Sequence, residues 1–283
     1  VRSTPFRTIM EQVLGLAGQV YDSTASAQLE QVSNFITLRM QEAYDYYPFP
    51  ELRKREERAF ANRWYATVSY AVGDVVWDPT TEKYYEALQA HSNVVVTNAT
   101  YWEEASTPAT LLVNYEQLGA TKIGRVWGVY AADPNTSTSN TEYYYVQTED
   151  GIAVPGCTAK TVWVVFTPPA PRWTARTHVT TAGAYRRYDV VYSDPNATAN
   201  ENFPDRGECY VAEYDSNNAI VWVKQPFPTV LSRFVVYAAG SDLLRYYGKK
   251  DQADDFESRA YQFLGDERDK AGLSSMQSWR GIG

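Results

Sequence analysis

Apolar residues recur at helical spacing near both ends of the chain and at strand spacing between them. Phe6, Ile9, Met10, Val13, Leu14, Ala17 and Val20 form a stripe that predicts a helix over 5–20. Pro5 suits its first turn, with Ser3 or Thr4 as the cap. Leu29, Val32, Phe35, Ile36, Met40, Ala43, Tyr44 and Tyr47 predict a second helix, capped by Ser23 or Thr24 and ended by Pro48-Phe49-Pro50. In 51–63, ELRKREERAFANR, opposite charges stand three and four residues apart. That spacing favours a solvated helical or turn segment over a polar contact surface.

From Trp64 the period becomes two, and one aromatic-rich pattern recurs three times. YAVGDVVWDP (70–79) leads to KYYEAL (83–88) and then Trp102. GRVWGVYAADPN (124–135) leads to EYYYVQ (142–147) and Trp163. RRYDVVYSDPN (186–196) leads to ECYVAEY (208–214) and Trp222. Each copy predicts a strand, an Asp-Pro turn, a Tyr-bearing strand, then a Trp and a Pro. After Pro226-Phe227-Pro228 the helical period returns with Leu231, Phe234, Val235, Ala238, Ala239, Leu243 and Leu244, and Gly248 is the stop. A last helix, about 251–270, carries Phe256, Ala260, Phe263 and Leu264. Residues 271–283, AGLSSMQSWRGIG, are expected to form an extended tail.

The order predicts an α+β protein: a four-helix hub from the two ends, with a large antiparallel β insertion of about three related small modules. The expected boundaries are 1–63 and 229–270 for the halves of the hub and 64–228 for the insertion, with 271–283 as the tail. Within the insertion the modules fall at 64–110, 111–171 and 172–228.

Charge sharpens this picture. The net charge is −8, and residues 65–228 hold 18 acidic and 10 basic side chains against 16 and 16 in the flanks. An acidic middle argues against a nucleic-acid reader there. No apolar run approaches the roughly 18 residues that span a bilayer, so no membrane role is expected. Cys157 and Cys209 lie at strand-like positions and are expected to be reduced and buried.

Candidate chemistry is thin. His91 and His178 stand in unrelated contexts, and no phosphate-binding glycine loop or nucleophile elbow occurs. Neither a metal site, nor a cofactor, nor a catalytic constellation is expected. The tryptophans at 77, 102, 127, 163 and 222 have two readings: core aromatics of small sheets, or an exposed stacking platform. Along Tyr143-Tyr144-Tyr145 neighbours must face opposite sides of a strand, so at least one leaves the core.

Two resemblances follow. Tyr70-Ala71-Val72-Gly73-Asp74-Val75-Val76, Tyr84-Tyr85-Glu86-Ala87 and Tyr101-Trp102 resemble a small chitin-binding module of the carbohydrate-binding type, over about 40 residues. The third copy departs from it, with Tyr188-Asp189 for the Gly-Asp. Two N-terminal helices with the exit RMQEAYDYYPFPEL (39–52), a β insertion, and two helices ending in FESRAYQFLGDERDKA (256–271) resemble the head-to-tail adaptor (connector) proteins of tailed bacteriophages. That resemblance implies a structural virion protein of the neck and tail, assembled in the host cytoplasm. It would be a homo-oligomeric ring, a dodecamer of about twelve copies. The ring would bind the portal protein and the tail nozzle or tail fibre proteins, and would pass DNA without sequence-specific contacts. It also implies that the tail docks on the portal through Trp279, with Met276 and Arg280 beside it. Tyr143, Tyr144, Tyr145 and Trp102 complete the expected partner-binding residues. The alternative is a multivalent carbohydrate-binding protein whose aromatic β modules act together.

Overall fold

A computed structural model describes residues 3–22, 25–66, 68–118, 120–136, 140–177, 185–186, 188–193, 203–214 and 220–280, with backbone only at 213, 214, 220 and 273–280. Its elements begin β1 (Ser3–Thr4), α1 (Phe6–Leu16), α2 (Ser26–Tyr46), a 3-10 turn at Pro50–Leu52, β2 (Lys54–Ala59), β3 (Asn62–Arg63) and β4 (Ser69–Tyr70). Next come β5 (Val75–Asp78), β6 (Lys83–Ala87), β7 (His91–Ser92), β8 (Trp102–Ala105), β9 (Leu112–Asn114) and β10 (Arg125–Tyr130). Then follow β11 (Val146–Gln147), β12 (Gly151–Ala153), β13 (Thr161–Thr167), β14 (Val190–Tyr192), β15 (Cys209–Tyr214), β16 (Ile220–Gln225) and β17 (Phe227–Pro228). Helices α3 (Thr229–Tyr246) and α4 (Lys250–Arg280) close the chain. The fold is therefore mixed α+β with mainly antiparallel sheets. No helix of the described residues is long and apolar enough to cross a membrane.

The chain divides into two compact units. One comprises Val1–Leu52, Ala170–Glu213 and Val221–Gly283, the other Arg53–Pro169 and Tyr214–Ile220. The expected boundaries at 63/64 and 228/229 are thus displaced, because the third copy packs with the helices. Trp173, Tyr192 and Cys209 are buried in the same cluster as Ile9 of α1, Ile36 of α2, Val235 of α3 and Leu264 of α4. Burial pushes the Cys209 thiol well up, so it stays neutral. Both cysteines are unpaired and buried.

The same packing explains how α1 begins. Neither Ser3 nor Thr4 caps it; Pro5 stands at the cap position without a side-chain bond. Instead, the carboxylate of Glu208, 5 % exposed, accepts from Phe6 N at 3.2 Å, and Gly207 O accepts from Arg7 N at 2.9 Å. A buried carboxylate is favourable at the positive end of a helix. Lys224 Nζ balances it at 2.9 Å. β1 pairs with β17, tying Ser3–Thr4 to the residues that lead into α3. Gly248, at φ 76, ends α3 as expected, with Lys249 N donating to Leu244 O.

Two expectations need correction. Residues 54–59 are a strand, not a solvated helix or turn, and pair with β13 over six positions. Residues 271–280 continue α4 rather than forming an extended tail. Nothing in AGLSSMQSWR stops a helix; a single interior Gly272 costs only about 1 kcal/mol relative to Ala.

Copies one and three build one device. In β4–β6, Gly73 has φ 87; Gly73 N donates to Ala87 O, Ala87 N to Asp74 O, and Asp74 Oδ2 accepts from Ala71 N. In the third copy Tyr188 takes the glycine's place at φ 71. Its N–H donates to Ala212 O, Ala212 N to Asp189 O, and Asp189 Oδ2 accepts from Arg186 N. The closing tryptophans match as well. Tyr70 meets Trp102 edge-on at 5.1 Å, and Tyr185 meets Trp222 edge-on at 5.0 Å. Both copies place the second strand centrally, β5–β6–β8 and β14–β15–β16. The second copy differs, because its first strand, β10, pairs directly with β13, which bears Trp163.

Candidate binding face

The sheet β10–β13–β2 has one face in a core and one turned outward. Val126, Val129, Val162, Val164 and Phe166 point inward and are buried. On the same side Arg58 is 1 % exposed under the Phe166 ring, and its guanidinium donates to Glu56 Oε2 at 2.7 Å and to Thr121 O at 2.5 Å. That bonding is what lets a charged strand form a sheet edge over a core.

Strand alternation then fixes the outer face. Glu57 stands opposite Trp163, Trp163 opposite Tyr130, and Tyr130 opposite Glu142 through an isolated bridge. Arg55 stands opposite Val165, which stands opposite Gly128. The ladder shifts between Val126 and Gly128, so Trp127 is the extra residue of a bulge. Its indole donates to Thr167 Oγ1 at 2.9 Å. The Arg53 guanidinium lies 4.5 Å from the Trp127 ring centroid and that of Arg125 5.6 Å. Gly128 leaves space for Tyr130: a Cβ there would fall 2.6 Å from the Tyr130 hydroxyl. Burial, with Glu142 adding to it, raises the Tyr130 phenol, which stays a donor near neutral pH.

The tyrosine run behaves as alternation requires. Tyr143 and Tyr145 pack on the core, while Tyr144 is 73 % exposed and, two residues past Glu142, falls on the outer side. The tryptophans split between the two readings. Trp77, Trp102 and Trp222 join hydrophobic clusters, whereas Trp127 and Trp163 join none among the described residues. Trp102 is 2 % exposed and donates from Nε1 to Val94 O at 3.0 Å, so its expected partner-binding role is not open to it. His91 belongs to the same small core, 4.6 Å from Trp102. His178 and the side chains of Met276, Trp279 and Arg280 lie outside the described set.

Sequence reasoning missed Arg53, Arg55 and Arg125. In the sequence only Arg125 stands beside Trp127, and strand pairing through β13 is what brings positions 53–55 to 125–127. No protein-family model matches the chain, and no curated protein matches it in sequence.

Proposed function

We propose that the chain is a structural assembly protein, a head-to-tail adaptor of a tailed bacteriophage. In this reading α1–α4 are the four-helix hub of a closed ring of about twelve copies. What carries it is one observation: helices from both ends of the chain bury side chains in a single apolar cluster, with some 180 residues between α2 and α3. The ends thus belong to one body, as a hub requires, and the β segments are free to serve as contact surfaces for the nozzle or fibres. Exposed apolar side chains on that body, Val20 at 84 %, Leu38 at 59 % and Tyr246 at 63 %, suit contacts between copies. A net charge of −8 suits a channel that passes DNA without holding it. The test is the mass of the purified chain, alone and with a portal protein. A ring-sized species that forms or stabilises on the portal supports the reading; a monomer under both conditions refutes it.

A further inference from the structure

We infer that the outer face of β2–β13–β10 binds an acidic glycan, a polymer of carboxylate-bearing sugars. The first reason is unsatisfied cations. Among the described residues, several arginines elsewhere are ion-paired: Arg39, Arg176, Arg245 and Arg259 each have a carboxylate within 3.1 Å, while Arg63 and Arg233 lie singly over aromatic rings without one. Arg53, Arg55 and Arg125 have none, in a chain with eight more acids than bases. Arg53 is moreover held in place, stacked on Trp127, with its Nε buried and no acceptor in reach. A guanidinium kept flat and unpaired is pre-organised for a carboxylate.

The second reason is the mixture around those cations. Exposed Tyr144 and half-buried Trp163 and Tyr130 offer ring surface to C–H groups, and exposed Glu57 and Glu142 close the two ends of that row as acceptors for hydroxyls, Glu57 already taking one from Thr161. A sugar polymer carries all three partners: apolar ring faces, hydroxyl donors and spaced carboxylates. Nucleic acid fits poorly, since its dense phosphates would meet two glutamates on an acidic protein. The inference stands independently of ring assembly.

The test uses the full chain in affinity electrophoresis through gels containing polygalacturonate, hyaluronate or polysialic acid. Neutral chitosan-free chitin oligomers, polyglutamate and a single-stranded DNA oligomer serve as competitors. Retardation by at least one acidic polysaccharide is expected, weakening as salt rises. The double variant Arg55→Gln/Arg125→Gln, at exposed positions, should bind roughly tenfold or more weakly with an unchanged melting temperature. Tyr144→Ala should weaken binding about fivefold, which keeps the aromatic contribution testable if Trp163→Ala does not fold. No retardation by any of the three polymers overturns the inference, as does unchanged binding by the arginine double variant. Competition by neutral oligomer, polyglutamate or DNA equal to that of the acidic glycan overturns it as well.

Discussion

Gly73 and Tyr188 perform one task with different residues. Both hold a left-handed backbone so that the following Asp can bond the amide three residues before it. Glycine does this without strain, whereas a side chain costs roughly 1–2 kcal/mol. Gly73 faces open space, so Gly73→Ala tests the backbone alone. The variant should lose about 1 kcal/mol, read as a fall of a few degrees in the melting midpoint. A loss several times larger would mean that a contact, not the backbone, demands glycine. Trp102 makes the opposite case. It is sealed against Tyr70 and His91, so Trp102→Ala should cost about 3–5 kcal/mol and act on stability, not on ligand binding.

Elements separate what local pattern dictates from what pairing dictates. The helices were legible because their stripes are local: Ile9, Val13 and Leu14 bury on the face that the period of 3.6 marks. The strand Lys54–Ala59 was not legible, because its partner lies about a hundred residues away in Thr161–Thr167. Charges three and four apart look helical until Val162 draws Arg58 inward, and the bonds that make this tolerable come from Glu56 and Thr121. The outer face was hidden for the same reason, since the rows Glu57–Trp163–Tyr130–Glu142 exist only across strands. Among the helices, Arg39 ties α2 to α3 and α4. It is bidentate to Asp242 at 2.7 Å, and meets Glu42 at 2.8 Å and Glu257 at 3.1 Å. Arg39→Ala would leave three carboxylates crowded and partly buried, and should cost about 3 kcal/mol in chemical denaturation. Glu257 is bonded by Arg245 above all and by Arg39 besides, which holds its carboxyl below the usual range. A depressed carboxylate lends stability that is present above its unfolded value, about 4.3, and is lost as pH falls through the lower folded one. The melting midpoint should therefore drop between pH 5 and pH 3, and Glu257→Gln should flatten that drop.

At the scale of the whole molecule, the open matter is what covers the apolar side chains that folding leaves exposed on the helical body. Leu38 lies in mid-helix on α2 at 59 % exposure, and Tyr246 at the end of α3 at 63 %. Scattered exposed leucines are ordinary, so burial statistics alone decide nothing. The adaptor reading makes the two positions distinguishable from ordinary surface. In a closed ring every copy presents two unlike patches, and a charge placed in either patch is repeated at every junction. Leu38→Asp and Tyr246→Asp touch no core contact, so each should leave the melting temperature of the isolated chain within a degree or two. If either position lies in the junction, burying an unpaired carboxylate there should shift the mass distribution from ring to monomer at equal concentration. Mass photometry of wild type and both variants, with and without a portal protein, reads this directly. Rings that persist in both variants would place the junction elsewhere on the helices. A wild-type chain that stays monomeric even on the portal would instead remove the ring, and the hub with it.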